Sequence, residues 1–190
     1  MPLPLAPPSS TDPPPNQHFN TGISPNDHAS YMRLALSYAH ESPPLPTNFR
    51  VGALLVDSAS NKILTSGFTL ELPGNTHAEQ CCLSKYASEH DIPEERVGEV
   101  LPEGAVIYTT VEPCVKRLSG NRTCVERIVE TRSKGGGIRK VYVGVKEPET
   151  FVGDNQGRKI LENAGVEVVL VGGLEKEILR VATAGHVASS

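Results

Sequence analysis

Two neighbouring stretches, FRVGALLVDS (residues 49–58) and NKILTSGFTLE (residues 61–71), set the architecture. The first carries a continuous apolar run, as expected of an interior strand covered on both faces. The second follows a short Ala-Ser-Asn turn and reads as its hairpin partner. Before the hairpin, Tyr31, Leu34, Ala35 and Tyr38 recur at helical spacing, with Asn26 or Asp27 placed to cap the helix. The three prolines of ESPPLPTN (41–48) end that helix. After the hairpin the pattern alternates. HAEQCCLSKYASEH (77–90) is helical, with Ala78, Cys81, Cys82 and Tyr86 on one face, and IPEERVGEVLPEG (92–104) reads as a loop. AVIYTTV (105–111) is a strand and TCVERIVETR (123–132) a helix closed by Gly135–Gly137. KVYVGV (140–145), NQGRKILENAG (155–165) with Gly165 as C-cap, VEVVLV (166–171) and LEKEILRVATAGH (174–186) continue strand, helix, strand, helix. Strands alternating with helices after an opening hairpin imply an α/β layered fold with a mixed sheet of roughly five strands.

The chain has 190 residues and a formal net charge of −4, so one compact domain is expected, without the basic surface of a nucleic-acid binder. Trp is absent, which leaves few platforms for stacking bases. No apolar run approaches the ~18 residues of a membrane span, and no secretory leader is evident. A cytoplasmic, reducing location follows as an expectation, and there Cys near His binds metal more often than it forms disulfides. Residues 1–25, rich in Pro, Ser, Thr and Asn, are expected to form a flexible arm, with the folded domain over 26–190.

Within this frame, His77 opens a helix, Cys114 follows Pro113 after a strand, and Cys124 opens the next helix. Zinc takes thiolate and imidazole ligands in tetrahedral geometry, and catalytic sites supply three protein ligands with one position open. Helix N-termini favour the thiolate form as well. Glu79, two residues past His77, is placed to handle protons beside the metal without binding it. A structural zinc site needs no such acid, although Cys81, one turn beyond His77, could serve as a fourth sulfur. The other reading of Cys81 and Cys82 is that they are small buried apolar residues.

Zinc deaminases acting on nucleobases carry H-x-E with P-C-x-x-C. This chain has HAE, but PCVKRLSGNRTC (113–124) sets nine residues between the Cys rather than two. That spacing resembles the pyrimidine deaminase of riboflavin biosynthesis, a branch of the cytidine-deaminase-like superfamily. The resemblance rests on TNFRVGALLV (47–56), NTHAEQ (75–80), TTVEPC (109–114) and LSGNRTC (118–124), and continues through VYVGVKEPETFVGDNQGRKILENAGVEV (141–168). It implies a three-layer α/β/α fold and a zinc ion held by His77, Cys114 and Cys124. It also implies Glu79 as general acid/base, Asn48 as the residue that holds the ring, and Arg122 on the phosphate side of the substrate.

Val115 and Lys116 stand where bacterial relatives have Ser-His, and the insertion is one residue longer. Lys116 and Arg117 are therefore read either as further phosphate contacts or as a solvated basic loop. Bacterial relatives continue into a reductase domain, and this chain stops at Ser190, so deamination alone is expected. The separate deaminase looks like the fungal version, which implies 2,5-diamino-6-ribitylamino-4(3H)-pyrimidinone 5'-phosphate as substrate and loss of its 2-amino group as ammonia. The fold commonly pairs, so a homodimer is expected. The competing readings are a deaminase of cytosine, guanine or tRNA adenosine, and a non-catalytic zinc-binding subunit.

Overall fold

A computed structural model describes residues 22–133, 135–146 and 156–186 of the chain. The first 21 residues of the proline-rich arm, the stretch 147–155 within the family resemblance, and residues 187–190 lie outside the described residues. Five strands, β1 (Gly52–Asp57), β2 (Lys62–Phe68), β3 (Ala105–Val111), β4 (Lys140–Val145) and β5 (Glu167–Leu170), form one sheet in the order β2-β1-β3-β4-β5. β1 pairs antiparallel with both β2 and β3, while β3–β4 and β4–β5 are parallel. The hairpin and the mixed sheet are as expected from sequence.

The continuous apolar run of β1 is explained by cover on both faces. Ala53 and Leu55 point into a core formed with helix α2 (Ala78–Glu89), helix α3 (Cys124–Thr131) and helix α4 (Gly157–Asn163). Leu54 and Val56 point into a second core with helix α1 (His28–Ala39) and helix α5 (Glu175–Ala182). Period-two alternation across a doubly covered strand thus gives three layers, α/β/α.

Local chemistry sets the helix starts. Asp27 caps α1, its carboxylate accepting from the Ser30 amide at 3.1 Å. Thr123 and Glu126 form a capping box at α3, so Cys124 becomes the first helical residue rather than part of the preceding loop. Gly165, at φ 77°, follows α4 as the sequence predicted. The stretch 92–104 departs from expectation. A 3₁₀ helix over Glu94–Glu99 follows Pro93, because Val97 and Gly98 are buried against the body of the domain, with Gly98 close to the Thr131 carbonyl. Among the described residues, no helix is long and apolar enough to cross a membrane.

The strand directions bring particular ends together. β1 runs against β3, so residues just before β1 meet residues just after β3, and the end of β2 joins them. At that end β2 approaches the first turn of α2 without an intervening side chain. A Cβ on Gly67 would lie 2.3 Å from the Ala78 carbonyl oxygen and 2.9 Å from Cys81 Cβ.

Candidate active site

Three segments converge where β2 and β3 end and β1 begins. Thr76 closes the Leu72–Thr76 loop, its hydroxyl donating to the Leu72 carbonyl at 2.8 Å and accepting from the Leu72 amide at 3.2 Å. His77 then serves as the N-cap of α2 in extended conformation, and Glu79 lies in the first turn. Glu112, Pro113 and Cys114 leave β3, with the Glu112 amide bonded to the Val145 carbonyl at 2.9 Å. Cys124 enters from the start of α3. The two helix N-termini face the same point, where their partial positive charge favours anionic sulfur.

The three candidate ligands meet: His77 Nδ1 lies 3.5 Å from Cys114 Sγ and 3.5 Å from Cys124 Sγ, and all three ligand atoms lie within 4.8 Å of one another. Tetrahedral zinc, at ~2.0–2.1 Å from nitrogen and ~2.3 Å from sulfur, sets such ligand atoms about 3.6 Å apart. The cluster therefore fits Zn²⁺ in both donor type and spacing. Cys114 is held down to about 4, chiefly because the Cys124 thiol donates to it, with the His77 ring and the Cys124 amide helping against burial. Cys124 is pushed well up by that same bond, by burial and by Glu79. Two thiols that share a proton in this way release it when a metal takes both sulfurs.

Glu79 is almost wholly buried, with 3 % of its surface exposed. Its Oε2 lies 3.4 Å from Cys124 Sγ, and its Oε1 accepts from the Thr109 hydroxyl at 3.1 Å. Burial pushes its carboxyl pKa up, His77 opposes this, and Cys114 adds to the rise. The direction suits a carboxyl that must hold a proton during a reaction as well as give one up.

A cavity of about 410 Å³ opens beside the cluster, lined by His77, Glu79 and Cys114 together with Asn48, Phe49, Glu112 and Lys116. That size suits a small molecule. Asn48 reaches it from just before β1. Its Nδ2 is 3.4 Å from the Phe49 carbonyl, while its buried Oδ1 has no partner among the described residues. A buried acceptor without a partner would be satisfied by a donor brought to it.

The basic residues separate. Lys116 is exposed on the cavity rim, and its ammonium makes no hydrogen bond or ion pair among the described residues. Arg117 also lines the cavity, but its guanidinium donates to the Asn75 carbonyl, to Gln80 Oε1 at 3.1 Å and to the Arg122 carbonyl at 3.4 Å. It braces the loop against the His77 segment. Arg122 is not brought to the cavity. It pairs with Glu130 on α3 and lies 3.7 Å from Glu95 on the 3₁₀ helix.

Three contributors were not apparent from sequence. Thr109 reads as one more residue of a buried strand, Glu112 as motif spacing, and His186 as an isolated C-terminal His. In the fold, His186 Nε2 lies 3.0 Å from the Asn48 carbonyl oxygen and its ring packs on Phe49 at 4.9 Å, backing the cavity wall. For His186 only the alternating pattern that returns α5 to this end of the sheet could have given a hint. Cys81 and Cys82 are fully buried and outside the cluster, so the alternative with Cys81 as a fourth ligand does not form.

This sheet order, with a His/Cys/Cys cluster and an adjacent buried Glu at the strand ends, defines a metal-dependent deaminase site. Residues 25–145 match the family described as the cytidine and deoxycytidylate deaminase zinc-binding region, and the chain belongs to that family. Within it, the resemblance read from the long Cys spacing holds. The Rib2 deaminase of Aspergillus oryzae is 55 % identical, with a TM-score of 0.78 over 84 % of this chain and 92 % of that one. The same enzyme in complex with DARIPP gives 53 % identity and a TM-score of 0.77 over 86 % of this chain and 92 % of that one. The diaminohydroxyphosphoribosylamino-pyrimidine deaminase of Schizosaccharomyces pombe is 35 % identical over 94 % of this chain, which spans 40 % of that relative's length.

Proposed function

We propose that the protein hydrolytically removes the 2-amino group of 2,5-diamino-6-ribitylamino-4(3H)-pyrimidinone 5'-phosphate, as the deaminase of riboflavin biosynthesis. The observation that carries this reading is a buried Glu79 set against a His77–Cys114–Cys124 cluster of zinc dimensions, on a cavity lined by Asn48, whose buried Oδ1 lacks a partner, with an unpaired cation at its rim. The similarity to Rib2 deaminase, which forms a complex with DARIPP, supports it.

In this reading His77, Cys114 and Cys124 hold the zinc. Bound there, zinc supplies Lewis acidity that makes water a nucleophile at neutral pH. Glu79 takes the proton of the attacking water and delivers protons to the ring nitrogen and to the ammonia that leaves C2. The Asn48 Oδ1 accepts from a ring N–H or amino group and fixes the face presented to Glu79. Lys116 meets the substrate phosphate as a point charge, and Arg117 holds the loop that carries it. Arg122, paired with Glu130, leaves the phosphate role to Lys116. The chain acts in the cytoplasm as a homodimer, without nucleic acid or membrane.

Ammonia release from the ribitylamino substrate, measured beside cytosine and guanine, tests the reading. The wild type is expected to act on the first alone. Glu79→Gln is expected to keep its zinc and to lose on the order of 10³-fold in kcat. Wild-type turnover by Glu79→Gln would remove Glu79 from the mechanism.

A further inference from the structure

The mechanism above uses one carboxylate and says nothing of what holds it still. Thr109 is completely buried in β3, a hydroxyl within a strand whose neighbours Ile107, Tyr108 and Val111 are apolar core residues. Its Oγ1 lies 3.1 Å from Glu79 Oε1 and 2.9 Å from the Val111 carbonyl oxygen. The other Glu79 oxygen faces Cys124 Sγ at 3.4 Å, on the side of the cluster. The carboxylate is thus gripped at one oxygen from the sheet and presented by the other to the reacting centre.

We propose that Thr109 is a positioning residue for Glu79, holding Oε1 from the sheet so that Oε2 faces the cluster. This rests on the acid/base reading of Glu79. A hydroxyl has one proton to donate and lone pairs with which to accept, so the Thr109 hydroxyl can stay bonded to Oε1 while the Val111 carbonyl oxygen, 2.9 Å away, anchors it from the strand itself. A carboxyl held at one oxygen by a fully buried strand residue does not have to search for the orientation that aims its other oxygen at the cluster.

Thr109→Val removes the hydroxyl at nearly constant shape, and Thr109→Ser restores it. Thr110→Val is the matched control, because the Thr110 hydroxyl accepts from the Gly52 amide at 3.1 Å, is equally buried, and makes no hydrogen bond to Glu79. All three are assayed for kcat, KM, zinc content and thermal midpoint beside Glu79→Gln. Thr109→Val is expected to lose on the order of 10- to 100-fold in kcat, as misplacement of a reacting group does, with KM and zinc content unchanged. Thr109→Ser should recover most of that loss. Thr110→Val should lower the thermal midpoint and leave kcat alone. Wild-type kcat in Thr109→Val, failure of Ser to rescue, or equal kcat losses in the two Val variants overturns the proposal. An inactive Glu79→Gln beside an unaffected Thr109→Val overturns the Thr109 role alone. An active Glu79→Gln overturns the acid/base reading and takes the Thr109 role with it.

Discussion

The chain carries two pairs of cysteines, and they live in opposite worlds. Cys81 and Cys82 sit in the body of α2 with no exposed surface, and burial pushes both thiols up. They are short apolar side chains in a helix–sheet contact. Cys114 and Cys124 are nearly as buried, yet each stands at the end of an element, beside His77 and the start of a helix. Thiol chemistry is therefore decided by what ends nearby and not by depth. Two of the three cations of the loop between Cys114 and Cys124 repeat the contrast. Lys116 faces the cavity alone, and Arg122 is neutralised by Glu130 on the outside of α3.

Four substitutions probe this contrast, in falling order of effect. Cys114→Ser should lose most of its zinc and its turnover with it; outer partners of metal ligands are already worth about 10–100-fold, and a ligand more. Full zinc by atomic absorption would break the contrast at its root. Lys116→Ala should raise KM for the phosphorylated substrate about tenfold, the scale of a hydrogen bond to a charged group, and hardly change it for the dephosphorylated analogue. Equal changes for both compounds would return Lys116 to the solvent. Cys82→Ala should keep full zinc and kcat and cost about 1 kcal/mol of stability, or ~2–4 °C in Tm, from lost packing. Loss of metal in that variant would show that the two pairs are not separate. Arg122→Ala should leave KM unchanged and move stability by at most ~1 kcal/mol, as partly exposed ion pairs do. A selective rise in KM for the phosphorylated substrate would bring Arg122 back to the site.

What could be read from the sequence was local in origin. The β1–β2 hairpin follows from apolar runs around a turn. The Asp27 cap, the α3 start and the Gly165 stop each depend on residues within one helical turn. His77 and Glu79 are legible for the same reason, since two residues at a helix start fix their separation. The remainder depended on partners far along the chain. Thr109 looked like core because its partner, Glu79, stands on another element 30 residues away. Arg122 looked like a phosphate ligand because Glu130, two turns along a helix that had not yet been oriented, and Glu95, on a 3₁₀ helix read as loop, gave no local signal. His186 joins the wall behind Asn48 from 138 residues away, through the return of α5 to the same end of the sheet.

Gly67 has no side chain to offer the site, yet it decides how close β2 comes to the turn behind His77 and Glu79. It lets β2 lie against the first turn of α2, where a single methyl group would meet the Ala78 carbonyl. His77 and Glu79 ride on that turn together. Gly67→Ala would therefore press on the turn that carries both the proposed ligand and the proposed base, while the two sulfurs are anchored elsewhere, after β3 and at the start of α3. On the proposed roles, metal affinity and catalytic rate would fall together in that variant, linked through a residue that no map of chemically active groups would mark.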